Sequence, residues 1–185
     1  MIKKTLFILK NRLLKKSKIS FNIFIKNPTN IKIEENVKVH SNSSIDASKG
    51  EILLKKNSIL NRYSYLNAAK GKIIVGEGSE INNFTNINGM GNVTIGKNVL
   101  IGPNVQIISY NHNFMNKSKE IKKQGIIKQE IIIEDDVWIG ASAIILPGVT
   151  IKKGSVIAGG SIVNKDTLEY SINIGSPSKF YKERK

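Results

Sequence analysis

The chain has 185 residues, with 29 Lys and Arg against 14 Asp and Glu, a formal net charge of +15 and no cysteine. That length suits one domain with a short appendage, and the missing thiols exclude disulfides, zinc ribbons, iron–sulfur ligation and cysteine nucleophiles. Two histidines, His40 and His112, are too few for a His-rich metal centre within one chain, so no metal is expected.

The charge invites a nucleic-acid reading, because polyanions attract basic surfaces. Its distribution argues otherwise. Seven basic side chains and no acid fall in residues 1–20, leaving 22 positive and 14 negative charges, a net of +8, over the other 165. Nucleic acid is therefore not an expected partner.

In chain order, the amino-terminal segment comes first. Its apolar residues are interrupted by Lys and Arg, with no small-residue cleavage site after them. No run anywhere nears the ~18–20 apolar residues of a bilayer span. The expectation is a cytoplasmic protein whose only membrane contact would be peripheral, at the inner membrane through residues 1–20. Ile2, Leu6, Leu9 and Leu13 recur at steps of four, three and four, which lines one face of a helix ringed by lysines. Two roles fit such a face: contact with an acidic membrane surface, or a cover over the open end of a repeat structure.

Beyond this segment the chain is a repeat. Isoleucine supplies 32 of the 185 residues and aromatics are few, a bias toward strands. Weak copies of a six-residue unit begin at Ile33, Val39 and Ile45, and again at Leu54, Leu60 and Leu66, where the 21-residue spacing predicts small bulges. Sixes then start at Val75, Ile81 and Ile87 and, after a short spacer, at Ile95, Ile101 and Ile107. Following one interruption they run unbroken through Ile133, Ile139, Ile145, Ile151, Ile157 and Val163. The fifth residue is small or β-branched, as in Val99, Val105, Val137, Ala143, Val149, Ser155 and Ser161. A period of six matches neither 3.6 nor 3.5, and an ordinary meander would alternate every two residues. The geometry that satisfies it is a triangular parallel β-helix, with one six per side, about 18 residues per coil and Ile stacked on Ile. The interruption reads as a protruding loop over 113–130. Loops of that length on a rigid scaffold are functional or disordered.

The stretches Asp136–Ile151 (DVWIGASAIILPGVTI), Ala158–Asp166 (AGGSIVNKD) and Gly175–Lys179 (GSPSK) resemble a known signature. It is that of the acetyl-CoA-dependent sugar O-acetyltransferase branch of the left-handed β-helix, or hexapeptide-repeat, acyltransferases. The resemblance covers Ile73–Lys182 well and Ile31–Lys72 loosely. It implies an all-β fold: a left-handed parallel β-helix over 31–174 carrying the loop, with a basic segment over 1–30 and a basic tail over 175–185. The left hand comes from the resemblance, since parallel crossovers are ordinarily right-handed. It also implies a homotrimer with active sites between subunits, and transfer of acetyl from acetyl-CoA, without a metal, to a sugar hydroxyl. The loop motif Ile121–Gly125 (IKKQG) is similar to that of bacterial surface-polysaccharide O-acetyltransferases, which points to capsule or lipopolysaccharide biosynthesis.

Acyl transfer from a thioester to a hydroxyl needs a base for the hydroxyl proton, a role suited to histidine. His112 opens the loop, and the residues alone leave it as either that base or a turn cap beside Asn111 and Asn113. The resemblance implies the base. His40, second in a weak repeat, reads as a surface residue. The resemblance further implies that Asn82, one coil earlier and on the same side of the prism, contacts substrate, as an amide that can donate and accept. Trp138 would wall the channel, or meet a neighbouring subunit. Small residues lining a pantetheine groove would be Ala141, Gly159 and Gly160. Asn164 and Lys165 match further cofactor positions, and Lys179 and Lys182 match tail positions that meet phosphates as point charges. An oxyanion donor near Ala141 would complete the site. Ile151-Lys152 stands where Ile-Gly is common, and Ala158–Ser161 where Gly-Ala-Gly-Ser is usual. The nearest alternative is N-acetylation of a nucleotide-linked amino sugar. A carbonic anhydrase on this repeat would need three zinc histidines, and an inactive scaffold would be indifferent to His112.

Overall fold

A computed structural model describes residues 2–185. Three parallel sheets form the three faces of a prism, so the fold is the left-handed parallel β-helix that was expected. The first face stacks strands from Lys18–Ile19 to Ser171–Ile174 and ends on Lys179–Glu183. The second face runs in seven strands from Phe24–Lys26 to Ile162–Val163. The third runs in six, from Ile31–Ile33 to Thr150–Ile151. The coils begin earlier than the repeat suggested, because Lys18–Ile19 and Phe24–Lys26 already pair with Lys38–Val39 and Ser44–Asp46.

Register shows what holds the prism together. On the first face Ile19, Val39, Leu60, Ile81, Ile101, Ile139 and Ile157 stack as partners in successive coils, all nearly fully buried. The second face contributes Ile45, Leu66, Ile87, Ile107, Ile145 and Val163 in the same way. Each buried aliphatic side chain contributes about 1.5–3 kcal/mol of transfer free energy, so the column is the main source of stability. At the corners the fourth residue of the six takes a left-handed conformation, which asparagine tolerates. Asn36, Asn57 and Asn98 sit there, as does Asn104. The fifth residue turns inward, and where it is serine its hydroxyl donates to a backbone carbonyl, as Ser58 Oγ does to Lys55 O at 2.7 Å and Ser64 Oγ to Asn61 O at 2.6 Å.

The coils are not equal. Along the first two sides every inward residue follows the last by six. From the second side to the third the step is eight from Ile25 to Ile33, nine from Ile45 to Leu54 and from Leu66 to Val75, and eight from Ile87 to Ile95. Downstream, from Ile145 to Ile151, it returns to six. The predicted bulges are thus all one feature: a wide corner between the second and third faces, with Ala47 and Ala68 turned inward and buried. The loop leaves from this same corner in the next coil, where the step from Ile107 to Ile133 is 26.

The ends are covered differently. Helix α1 (Ile2–Leu14) lies over the first coil, with Ile8 fully buried in the core and Phe7 packed against it. Asn11 is also buried, its Nδ2 donating to Phe7 O at 2.8 Å. The helix is therefore a cap, but it caps through Phe7, Ile8 and Asn11; the predicted stripe of Ile2, Leu6, Leu9 and Leu13 faces solvent. At the far end the tail folds back, Lys179–Glu183 pairing antiparallel with Ser171–Ile174. Arg184 ties it down, donating to Asp136 Oδ2 at 2.9 Å and Gly154 O at 3.1 Å.

Candidate active site

The loop is a structured arm. Its base is a hairpin, Tyr110–His112 against Ile126–Lys128, with His112 opposite Ile126. Buried Ser109 anchors the stem: its Oγ donates to Asn88 O at 2.9 Å and accepts the Gly91 N–H at 2.8 Å, while its carbonyl accepts Gln129 N–H at 3.0 Å. Gly91 has to lack a side chain, since a Cβ there would collide with the Ser109 carbonyl. At the tip Gln124 closes the loop on itself. Its Nε2 donates to Asn116 O at 2.8 Å and Lys119 O at 2.6 Å, and its Oε1 accepts Asn116 N–H at 2.9 Å. Gly125 follows in a left-handed conformation, φ +84°. Gln124 is an organising residue the sequence reading passed over, although it stands in the Ile121–Gly125 motif that was noted.

His112 is exposed at the mouth of this arm. Its backbone N–H is held by Asn111 Oδ1 at 3.0 Å, and its imidazole has no hydrogen-bond partner among the described residues. No side chain among the described residues orients the ring, the task a second group ordinarily performs for a general base. His40 is exposed at the first-to-second corner of the second coil, far along the prism from His112.

The other candidates fall into two columns. Asn82 follows Glu80–Ile81 at the corner between the first and second faces. Its Oδ1 accepts Asn83 N–H at 2.9 Å, leaving Nδ2 without a partner among the described residues. Ala141 and Gly159 occupy that corner in later coils, and Gly160 N–H donates to Ala141 O at 2.8 Å. Close stacking itself requires small residues here: a Cβ on Gly140 would lie 2.5 Å from Gly159 N. Trp138 stands just before this corner on the first face, exposed, between Leu100 and Val156. His112 belongs to the opposite edge of the second face, and Asn164 and Lys165 leave that same edge after Ile162–Val163. Asn82 and His112 were expected on the same side of the prism; they stand at opposite edges of the second face. A whole face, roughly 15 Å at ~3.3 Å per residue, separates them in one copy.

At the carboxy-terminal end Lys165 and Lys179 line one pocket of about 250 Å³ with Val163, Asp166, Leu168 and Phe180. Lys182 points elsewhere, its Nζ 5.4 Å from the centre of the Tyr181 ring. Lys152, the departure from Ile-Gly, has a structural partner in Glu134 one coil earlier, 3.0 Å away. The Lys153 backbone N–H is the largest influence holding the Glu134 carboxyl below its ordinary range, with Lys152 next. Among the described residues no three His, Cys, Asp or Glu side chains gather as metal ligands, and no helix is long and apolar enough to cross a membrane.

Residues 130–165 match the family model described as bacterial transferase hexapeptide (six repeats). The galactoside O-acetyltransferase of Escherichia coli is 42% identical over 92 residues, 49% of this chain and 44% of that protein. The chain thus spans less than half the length of the curated relatives it matches first. Among solved structures, the polysialic-acid-specific acetyltransferase NeuO superposes with a TM-score of 0.59 and 25% identity, over 91% of this chain and 71% of that one. A point mutant of AntD, an N-acyltransferase from Bacillus cereus, superposes with a TM-score of 0.63, over 90% and 80% of the two chains. At 20% identity it is a likeness of fold alone.

Proposed function

We propose that the chain, whose residues 130–165 match the transferase hexapeptide repeat, moves an acetyl group from acetyl-CoA to a sugar hydroxyl of a bacterial surface polysaccharide. The observation that carries this reading is His112, an exposed imidazole with no partner among the described residues, on the rim of the arm that leaves the prism. The hydroxyl oxygen attacks the thioester carbonyl as the imidazole takes its proton. The tetrahedral oxyanion then collapses, the carbon–sulfur bond breaks, and the imidazolium returns the proton to the thiolate. Products are the sugar ester and coenzyme A.

The two columns support a site shared between copies of a homotrimer. In a symmetric ring the first-to-second corner of one copy meets the arm of the next, joining Asn82, Trp138 and the small residues Ala141, Gly159 and Gly160 to His112, Asn164 and Lys165. Lys165 and Lys179, which line one pocket, are the cations offered to the cofactor's phosphates; Lys182, turned toward Tyr181, is not placed with them. The glycan assignment draws on the Ile121–Gly125 motif, on the galactoside O-acetyltransferase and on NeuO.

The test is thiol release from acetyl-CoA against a panel of glycans and nucleotide-linked amino sugars. His112→Ala is expected to lower transfer by about 10²–10⁴-fold without altering thermal unfolding, because the ring is exposed and unbonded. Undiminished transfer would refute the mechanism, and transfer confined to amino groups would refute the O-acetyl assignment. Mixing His112→Ala with Asn82→Ala subunits is expected to restore about a quarter of wild-type activity, the chance that a random interface supplies both intact residues. No recovery would place both residues in one copy's site.

A further inference from the structure

Helix α1 has two apolar faces and the fold uses only one. At about 100° per residue, Phe7, Ile8 and Asn11, which seat the helix on the first coil, point one way. Ile2, Leu6, Leu9 and Leu13 point roughly opposite. Leu6 is 67% exposed and Leu13 77%. Phe21, half exposed, lies under the Arg12 guanidinium at 4.9 Å. Capping explains the buried face and leaves the outer one without a function, yet a row of exposed aliphatics is costly to keep in water.

The charges around this row indicate what covers it. Lys3 and Lys10 flank it on one side and Arg12 on the other, with Lys15, Lys16 and Lys18 just beyond the helix end. The first acidic residue in the whole chain is Glu34. An apolar stripe edged only by cations is complementary to one kind of surface, apolar beneath and anionic on top. A second copy of this chain would lay lysine against lysine along the edges, and a lipid surface needs no matched acidic side chains to meet them.

We propose that the outer face of α1 docks the protein end-on to an anionic lipid surface. Ile2, Leu6, Leu9 and Leu13 enter the acyl boundary, while the flanking lysines and Arg12 extend their stems past them to reach headgroup phosphates. The prism then stands with its first coil toward the bilayer and its later coils away from it. This inference is independent of the acetyl-transfer reading and would survive its failure.

The experiment is co-sedimentation of the full chain with vesicles of phosphatidylcholine alone and of phosphatidylcholine mixed with phosphatidylglycerol. Binding is expected only to the mixed vesicles, and it should fall steeply between about 0.1 M and 1 M salt as the Debye length shrinks from ~10 Å to ~3 Å. Leu6→Glu/Leu13→Glu is expected to cut partitioning by at least about tenfold. Its thermal unfolding should match wild type, since neither side chain packs on the coils. Partitioning unchanged in the double variant, or absent from the anionic vesicles in wild type, overturns the proposal. So does a change in oligomeric mass by light scattering, which would assign the stripe to contact between copies.

Discussion

Upstream of the loop the prism is built from coils of 20 or 21 residues; downstream it is built from coils of 18. Both keep the same aliphatic columns, and they differ at a single corner. The extra two or three residues sit between the second and third faces, where Ala47 and Ala68 turn inward and Gly89 would clash with Ile73 if it had a Cβ. A solenoid tolerates this because each coil answers only to its neighbours: once one coil has a wide corner, the next stacks on it most easily by being wide too. The arm bearing His112 emerges from the last wide corner, with its stem bonded to the corner before it through Ser109 and Gly91. Width at this corner is what the molecule elaborates into the arm that bears His112.

If the tight coils have less slack, a cavity in them should relax less. Ile145→Ala, in a six-residue side, is expected to cost about 4 kcal/mol, and Leu66→Ala, beside a nine-residue corner, about 3 kcal/mol, both within the usual range for such truncations. Chemical denaturation measures both, and equal or reversed costs would end the distinction. A smaller effect tests the stem. Ser109→Ala leaves the Gly91 N–H without its acceptor and should cost about 1–3 kcal/mol. The loss should appear first as faster hydrogen exchange at Gly91, and an unaltered exchange rate would detach the arm from the wide corner.

The smallest effect compares carboxylates in the two regions. In the wide coils burial pushes the Asp46 carboxyl up, but bonds from Ser48 and Lys26 outweigh it and the net direction is down. In the tight coils Glu134 is held down chiefly by the Lys153 N–H and then by Lys152. A depressed carboxyl stabilises the fold above its unfolded value and ceases to do so as pH falls through its folded value. Glu134→Gln should therefore be slightly less stable than wild type at neutral pH, and the gap should close as the pH is lowered beyond the ordinary glutamate value of 4.5. A gap that persists in acid would mean that packing, and not charge, separates the two.

The same contrast decides what was legible in the sequence. From Ile133 onward period and structure coincide, so the sixes, their inward residues and their small corners could be read directly. Upstream, the widened corner shifts the phase once per coil, so the columns looked like weak copies. The first coil, which begins at Lys18–Ile19, was missed because only Ile19 and Ile25 keep the six-residue step before it lengthens to eight at Ile33. On α1 the exposed row is the more regular of the two faces, and the capping face was hidden by Asn11, whose amide is satisfied within its own helix. The separation of Asn82 from His112 was not legible either. Spacing counts coils, and the three corners of a coil differ by only six residues.

Strands stacked in register with no intrinsic limit to their number are also the geometry of a growing fibre. Here both terminal coils are closed, one by a helix that buries Ile8 over it and the other by a strand that runs back antiparallel and is pinned by Arg184. Neither closure can serve as the next coil: a helix offers no strand edge, and an antiparallel strand cannot continue a parallel ladder. Among the described residues, then, neither outer coil presents a free parallel edge on which another strand could stack in the same direction.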